Sequence, residues 1–143
     1  MSLLEIENLS VEFPTSGGVL KAVDGIHMTI NEGDVVGVVG ESGSGKSVTM
    51  LALMGLVGYP GRVTADKLNF DGSDLLSMSE SERRRITGND IAMVFQEPMT
   101  SLNPCFTVGF QIMETLNVHE GGTCAMRKER TIELLDQVGI PAP

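Results

Sequence analysis

Little in the sequence ties it to an oxidising compartment, a membrane interior or a nucleic acid. Only two cysteines occur, Cys105 and Cys124. They lack metal-ligand spacing, and so sparse a pair reads as reduced thiols of a cytosolic protein, not as a disulfide framework. No apolar run reaches the roughly 20 residues that span a bilayer. The opening stretch, Met1 to Glu7, carries acids and no basic segment ahead of an apolar one, so no secretory signal is expected there. Basic residues are scarce, 10 Lys and Arg against 19 Asp and Glu, for a net charge of −9. That balance argues against nucleic acid as the main partner, because phosphate backbones attract basic surfaces. Nor is there a polybasic anchor for anionic lipid. The densest basic cluster is Arg83-Arg84-Arg85. Three charges make a short run, and they read as the solvated face of a short helix.

The informative stretch runs from Asp34 to Leu56. Gly40 to Ser47 fits the phosphate-loop pattern G-x-x-x-x-G-K-S/T. Its flanks agree with that reading. Val35 to Val39 is a continuous apolar run and predicts a strand buried on both faces. Met50 to Leu56 predicts a buried helix. Gly40, Gly43 and Gly45 allow close backbone approach and positive φ. Successive N–H groups through Glu41, Ser42, Ser44 and onward to Val48 would form a concave anion site at the start of a helix. Lys46 would place a mobile charge on the β- and γ-phosphates of a nucleotide. The Ser47 hydroxyl suits a Mg²⁺ ion that keeps water and phosphate oxygens as its other ligands. A glycine-rich turn matching by chance would lack these flanks.

The rest of the chain frames this stretch. Leu9, Val11 and Phe13 alternate with Ser10 and Glu12, and Ile26, Met28 and Ile30 alternate with His27 and Thr29. Both segments predict half-buried strands joined by a turn within Pro14 to Gly18, an antiparallel ribbon. Leu68 and Phe70 suggest another strand, turned at Asp71-Gly72. Ser79 with Glu82 forms a capping-box pattern for a helix to Arg85. Ile91 to Phe95 is a second continuous apolar run and predicts a second buried strand. Gln96 to Pro104 is irregular, with two prolines. Helices are expected over Val108 to Val118 and from a Thr123 cap to a stop at Gly139. His27 and His119 carry no chemical pattern.

With an antiparallel ribbon ahead of the phosphate loop, the chain resembles the ATP-binding subunits of ABC transporters. The resemblance covers the whole chain. Phe95-Gln96-Glu97-Pro98 fits the family's Q-loop, and Gln96 to Pro104 followed by Val108-Gly109-Phe110-Gln111-Ile112 looks most like the dipeptide and oligopeptide importer branch. The resemblance implies an α/β fold with a P-loop NTPase core. Residues 1–33 and 62–72 would form an antiparallel β subdomain, 34–61 and 73–98 the core, and 99–143 the start of a helical subdomain. It implies ATP and Mg²⁺ as ligands. Phe13 would stack on adenine, although a core residue on an alternating strand reads the same way. Gln96 would lie beyond the end of a core strand, where ligands of open α/β sheets sit, and reach Mg²⁺ or the attacking water. The implied partners are transmembrane permease subunits, a second ATP-binding subunit and, indirectly, a solute-binding protein. The implied location is the cytoplasmic face of the inner membrane, peripherally bound.

The family's LSGGQ-like signature, its apolar strand ending in aspartate and glutamate, and its later histidine have no counterpart in these 143 residues. The expectation is therefore the N-terminal part of a longer ATPase, binding nucleotide without efficient turnover, since no general base for water is evident. Other readings are an importer ATPase for another solute such as nickel, a non-hydrolysing nucleotide module, or a small P-loop kinase, which leaves the ribbon unexplained. A strand apolar on both faces needs neighbours on both sides. For the 143-residue polypeptide alone, an open edge and exposed apolar surface are expected.

Overall fold

The computed structural model of the chain describes residues 2–95 and 101–141. It is organised as two compact units, Met1–Ile91 and Ala92–Pro143.

The spine of the first unit is β1, Ser2–Thr15. Along one edge it pairs with β2, Gly18–Asn31. Along the other it pairs with β3, Arg62–Thr64, and β4, Lys67–Phe70. A short β5, Ser73–Asp74, adds to β4, and the pairings among these five strands are antiparallel. The expected strands and ribbon are therefore present, but β1 starts seven residues earlier than Leu9 because its alternation changes phase. Leu4 and Ile6 are buried at even positions, and Leu9 and Val11 at odd ones. The switch occurs at Asn8, whose φ is 54°, where the register with β2 shifts. One extra residue in a strand turns its following side chains to the opposite face, and asparagine tolerates the left-handed conformation this requires. The Asn8 amide donates to Asp66 Oδ2 at 3.0 Å, which ties the bulge to the loop before β4. Asp71 and Gly72 make the predicted tight turn with φ of 45° and 75°, the positive pair that suits the twist of a hairpin.

The phosphate-loop helix α1, Lys46–Met54, covers the sheet. Its buried residues Ala52 and Leu53 join Leu4, Ile6, Leu9, Val11, Val23, Leu68 and Leu75 in one core. Each large aliphatic side chain removed from water here contributes about 1.5–3 kcal/mol. The following α2, Glu80–Ile86, has the anticipated capping box: Ser79 Oγ accepts from Glu82 N, and Ser79 N donates to Glu82 Oε2 at 2.9 Å. Ser79 Oγ also donates to Glu82 Oε2 at 2.7 Å, and this bond, with the one from the Ser79 backbone N–H, holds the Glu82 pKa below its ordinary value.

Two expected core strands are not formed. Val35 to Val39 has no regular secondary structure, and Val35 is 100% exposed. Of the run Ile91 to Phe95, only Ile91 makes a bridge, to Thr87, and Val94 is 96% exposed. The physical reason is pairing. An apolar parallel strand is stable only between neighbours that fill its ladder and cover both faces. Among the described residues no strand lies beside Val35 to Val39. The α/β character therefore shows as an antiparallel sheet with helices, and not as a closed parallel core.

The second unit contains α3, Val108–His119, and α4, Cys124–Gln137, packed on each other. Thr107 and Thr123 cap them through their side-chain oxygens. Gly139, with φ 81°, ends α4 as expected: its N–H donates to Asp136 O and that of Ile140 to Leu135 O. Gln111 ties down the loop before α3 by accepting from Asn103 N and donating to the carbonyls of Asn103 and Phe106. Among the described residues no helix is long and apolar enough to cross a membrane.

The open runs at Val35 and Val94 predict that the isolated 143-residue polypeptide self-associates or is poorly soluble. Light scattering should show mass rising with concentration. A monodisperse monomer with cooperative unfolding at high concentration would contradict this.

Candidate functional site

The loop from Gly40 to Ser47 is built by backbone conformation more than by side chains. Gly43 and Gly45 have φ of 81° and 89°, in the left-handed region where a Cβ is disfavoured. Gly45 is also pressed against the ribbon. A Cβ there would lie 2.5 Å from the Ala22 carbonyl oxygen and 3.2 Å from Val23 Cγ2. This contact fixes where α1 begins relative to β2. At Gly40 a Cβ would lie 2.7 Å from Ser44 Oγ, so the loop closes tightly on itself.

The N-terminus of α1 is left open to an anion. Its cap, Gly45, offers no side-chain hydrogen bond, and no acid lies in the first turn. The unpaired N–H groups and the helix dipole both favour negative charge at this end. Lys46 lies among the loop carbonyls. Its Nζ donates to Gly40 O and Glu41 O, both at 2.7 Å, and to Ser44 Oγ at 3.1 Å. Ser47 is exposed on the first turn, whereas Val48 turns its side chain to the core and offers only its backbone. Glu41, Ser42, Gly43 and Ser44 are exposed. Thr49, which the motif does not include, is buried and donates its hydroxyl to Gly45 O at 3.0 Å.

Phe13 lies on β1 opposite Leu20, two residues from the Ala22 carbonyl that meets Gly45. It is half-buried against the core, and a Cβ on Gly61 would fall 2.7 Å from its Cε1. Gln96 lies outside the described residues. Among the described residues no group of three or more His, Cys, Asp or Glu is arranged to hold a metal. The candidate Mg²⁺ ligand Ser47 belongs to a different chemistry, in which phosphate oxygens and water supply the other ligands. His27 accepts a long bond from Asn8 N at 3.4 Å and takes no part in the loop.

The arginine cluster corrects one expectation. Arg84 is exposed, but Arg83 is not on a solvated face. It reaches across to the end of α1, donating through its two terminal nitrogens to Leu75 O at 2.9 Å, Ala52 O at 3.1 Å and Leu53 O at 2.7 Å. No sequence pattern signals this, because the donor and the helix end are about 30 residues apart in the chain.

Comparisons with known proteins show the family. A family model described as ABC transporter matches residues 23–142. The dipeptide transport ATP-binding protein DppD of Escherichia coli is 58% identical over 143 residues, all of this chain and 44% of that relative. Its counterpart in Haemophilus influenzae is 56% identical over 143 residues and 43% of its own length. The oligopeptide transport ATP-binding protein OppD of Bacillus subtilis is 45% identical over 142 residues and 40% of its length. The chain thus spans less than half of the curated relatives it matches.

Gly45→Ala tests the loop directly. It adds a methyl group at φ 89° and against a carbonyl oxygen. Destabilisation of about 1–3 kcal/mol is expected, the scale of a residue forced into a disfavoured backbone region. Urea unfolding of the full-length protein checks this, and an unchanged midpoint would show that α1 does not start at this contact.

Proposed function

The chain belongs to the ABC transporter family, and we propose that it is the nucleotide-binding portion of an ATPase subunit that powers peptide import. The observation that supports this best is the open, glycine-shaped N-terminus of α1 with Lys46 poised beside it. The peptide cargo rests on the names of the relatives, which are dipeptide and oligopeptide transport proteins.

In this reading the N–H groups from Gly40 to Val48 cradle the phosphates of ATP. Lys46 exchanges its carbonyl partners for the β- and γ-phosphate oxygens, a replacement of neutral acceptors by charged ones that favours the bound state. Ser47 is the candidate ligand for Mg²⁺, with Gln96 as a second, and the ion when bound neutralises charge on the transferring phosphoryl group. Phe13 offers the exposed part of its ring to adenine from the strand beside the loop. Gln96, next after Phe95 in the sequence, orients the attacking water, and the segment Gln96 to Pro104 that it begins relays the state of the nucleotide to the permease. Residues 1–33 and 62–72 serve as the β subdomain, 34–61 and 73–98 as the core, and the helices beyond 99 as the start of a helical subdomain.

The partners in this account are transmembrane permease subunits, a second ATP-binding subunit and a solute-binding protein acting through the permease. The protein works at the cytoplasmic face of the inner membrane. Turnover belongs to the full-length protein, because the family's apolar strand ending in aspartate and then glutamate, whose glutamate would act as general base, has no counterpart in these 143 residues.

Two substitutions in the full-length protein separate binding from coupling. Lys46→Ala should weaken ATP binding by about 2–5 kcal/mol, the cost of truncating one partner of a buried charge pair. Calorimetry showing unchanged affinity would remove the loop as the binding site. Gln96→Ala should reduce peptide uptake more than ATP affinity, and an equal loss of both would reduce Gln96 to a ligand contact.

A further inference from the structure

The phosphate-loop helix has no basic residue in its own last turn. Helix C-termini expose carbonyl groups and a partial negative charge, which a cation stabilises. On α1 two of these carbonyls, Leu51 and Ala52, are met by the N–H groups of Leu56 and Gly55 as the chain turns through Gly55 at φ 69°. The Leu53 carbonyl, and a second bond to Ala52, fall to the guanidinium of Arg83. The same guanidinium donates to Leu75 O. It therefore joins the end of α1 to the segment between β5 and α2, and Leu75 is a fully buried core residue. A Cβ on Gly55 would collide with Arg83 Nε, so the turn and the arginine fit only together. Burial holds the Arg83 pKa below its ordinary value, and its buried Nε meets no hydrogen-bond partner among the described residues. A group kept in this setting is fixed by geometry that a solvated arginine would not need.

We infer that Arg83 is a positioning residue for phosphate binding: by bridging Leu75 to the Ala52 and Leu53 carbonyls it holds the C-terminal end of α1, while the Gly45–Ala22 contact holds the N-terminal end. The helix is nine residues long, so its two ends are about 13 Å apart. Freed at its C-terminal end, it can tilt about Gly45 and carry the N–H groups of its first turn away from the phosphates. The arginine also leaves the helix dipole unopposed only at the end that faces the ligand. The inference rests on the nucleotide reading of the loop.

The test uses the full-length protein. ATP affinity is measured by calorimetry well below the thermal midpoint, with binding stoichiometry reporting the folded fraction. Arg83→Met is expected to weaken ATP binding about tenfold at unchanged stoichiometry, through loss of charge-assisted hydrogen bonds that align the helix. Arg84→Met, at the exposed neighbouring position, should leave affinity unchanged. A lower thermal midpoint with wild-type affinity in Arg83→Met would make the residue merely structural and overturn the inference. Should Arg83→Met fail to fold, Arg83→Lys decides. It keeps the charge but not the planar fork that bridges several carbonyls, so a loss of about two- to threefold supports the inference and wild-type affinity overturns it. Lys46→Ala runs alongside as the control for the reading beneath. If it binds ATP normally, the nucleotide assignment fails and the inference falls with it. If it loses ATP while Arg83→Met does not, only the inference fails.

Discussion

Gly45 meets the carbonyl of Ala22 with no room for a side chain, and the rest of the first unit depends on that contact. It sets the starting point of α1 on the ribbon formed by β1 and β2. The helix can then lay Ala52 and Leu53 into the core that β1 and β4 provide. With the start fixed and no side chain capping it, the first-turn N–H groups stay available to an anion. Lys46 completes the loop by bonding to the carbonyls of Gly40 and Glu41. These bonds give the loop a defined shape, and a site whose shape is set by its own contacts binds at a smaller ordering cost.

Local signals were legible in the sequence because their causes are local. The capping box at Ser79, the turn at Asp71-Gly72 and the stop at Gly139 each depend on a few adjacent residues, and all are formed. The phosphate loop was legible for the same reason, since backbone freedom at Gly43 and Gly45 is written into residue type. Non-local features were not. The start of β1 was hidden by the bulge at Asn8, which reverses the alternation that marks a strand, although Leu4 and Ile6 alternate with Glu5 and Glu7 on their own. Val35 to Val39 and Ile91 to Phe95 have the composition of core strands, yet composition cannot supply neighbours. Without a ladder alongside, both runs stay outside the sheet.

Arg83 shows the limit from the other direction. Three consecutive arginines look alike in sequence, and a solvated face is the ordinary expectation for such a run. Only the packing of α2 separates them, leaving Arg84 in solvent and sending Arg83 to the carbonyls at the end of α1. The phosphate-loop helix is thus held at one end by a glycine that admits a carbonyl and at the other by an arginine that seeks several. Neither partner, Ala22 nor Arg83, lies within the G-x-x-x-x-G-K-S/T pattern itself.

A structure of the full-length protein with a non-hydrolysable ATP analogue and Mg²⁺ tests the central claim most directly. The account predicts that Lys46 Nζ leaves the carbonyls of Gly40 and Glu41 for phosphate oxygens, while Gly45 stays against Ala22 and Arg83 stays on Ala52 and Leu53. Phosphates bound elsewhere, or Lys46 still on those carbonyls with nucleotide present, would contradict it.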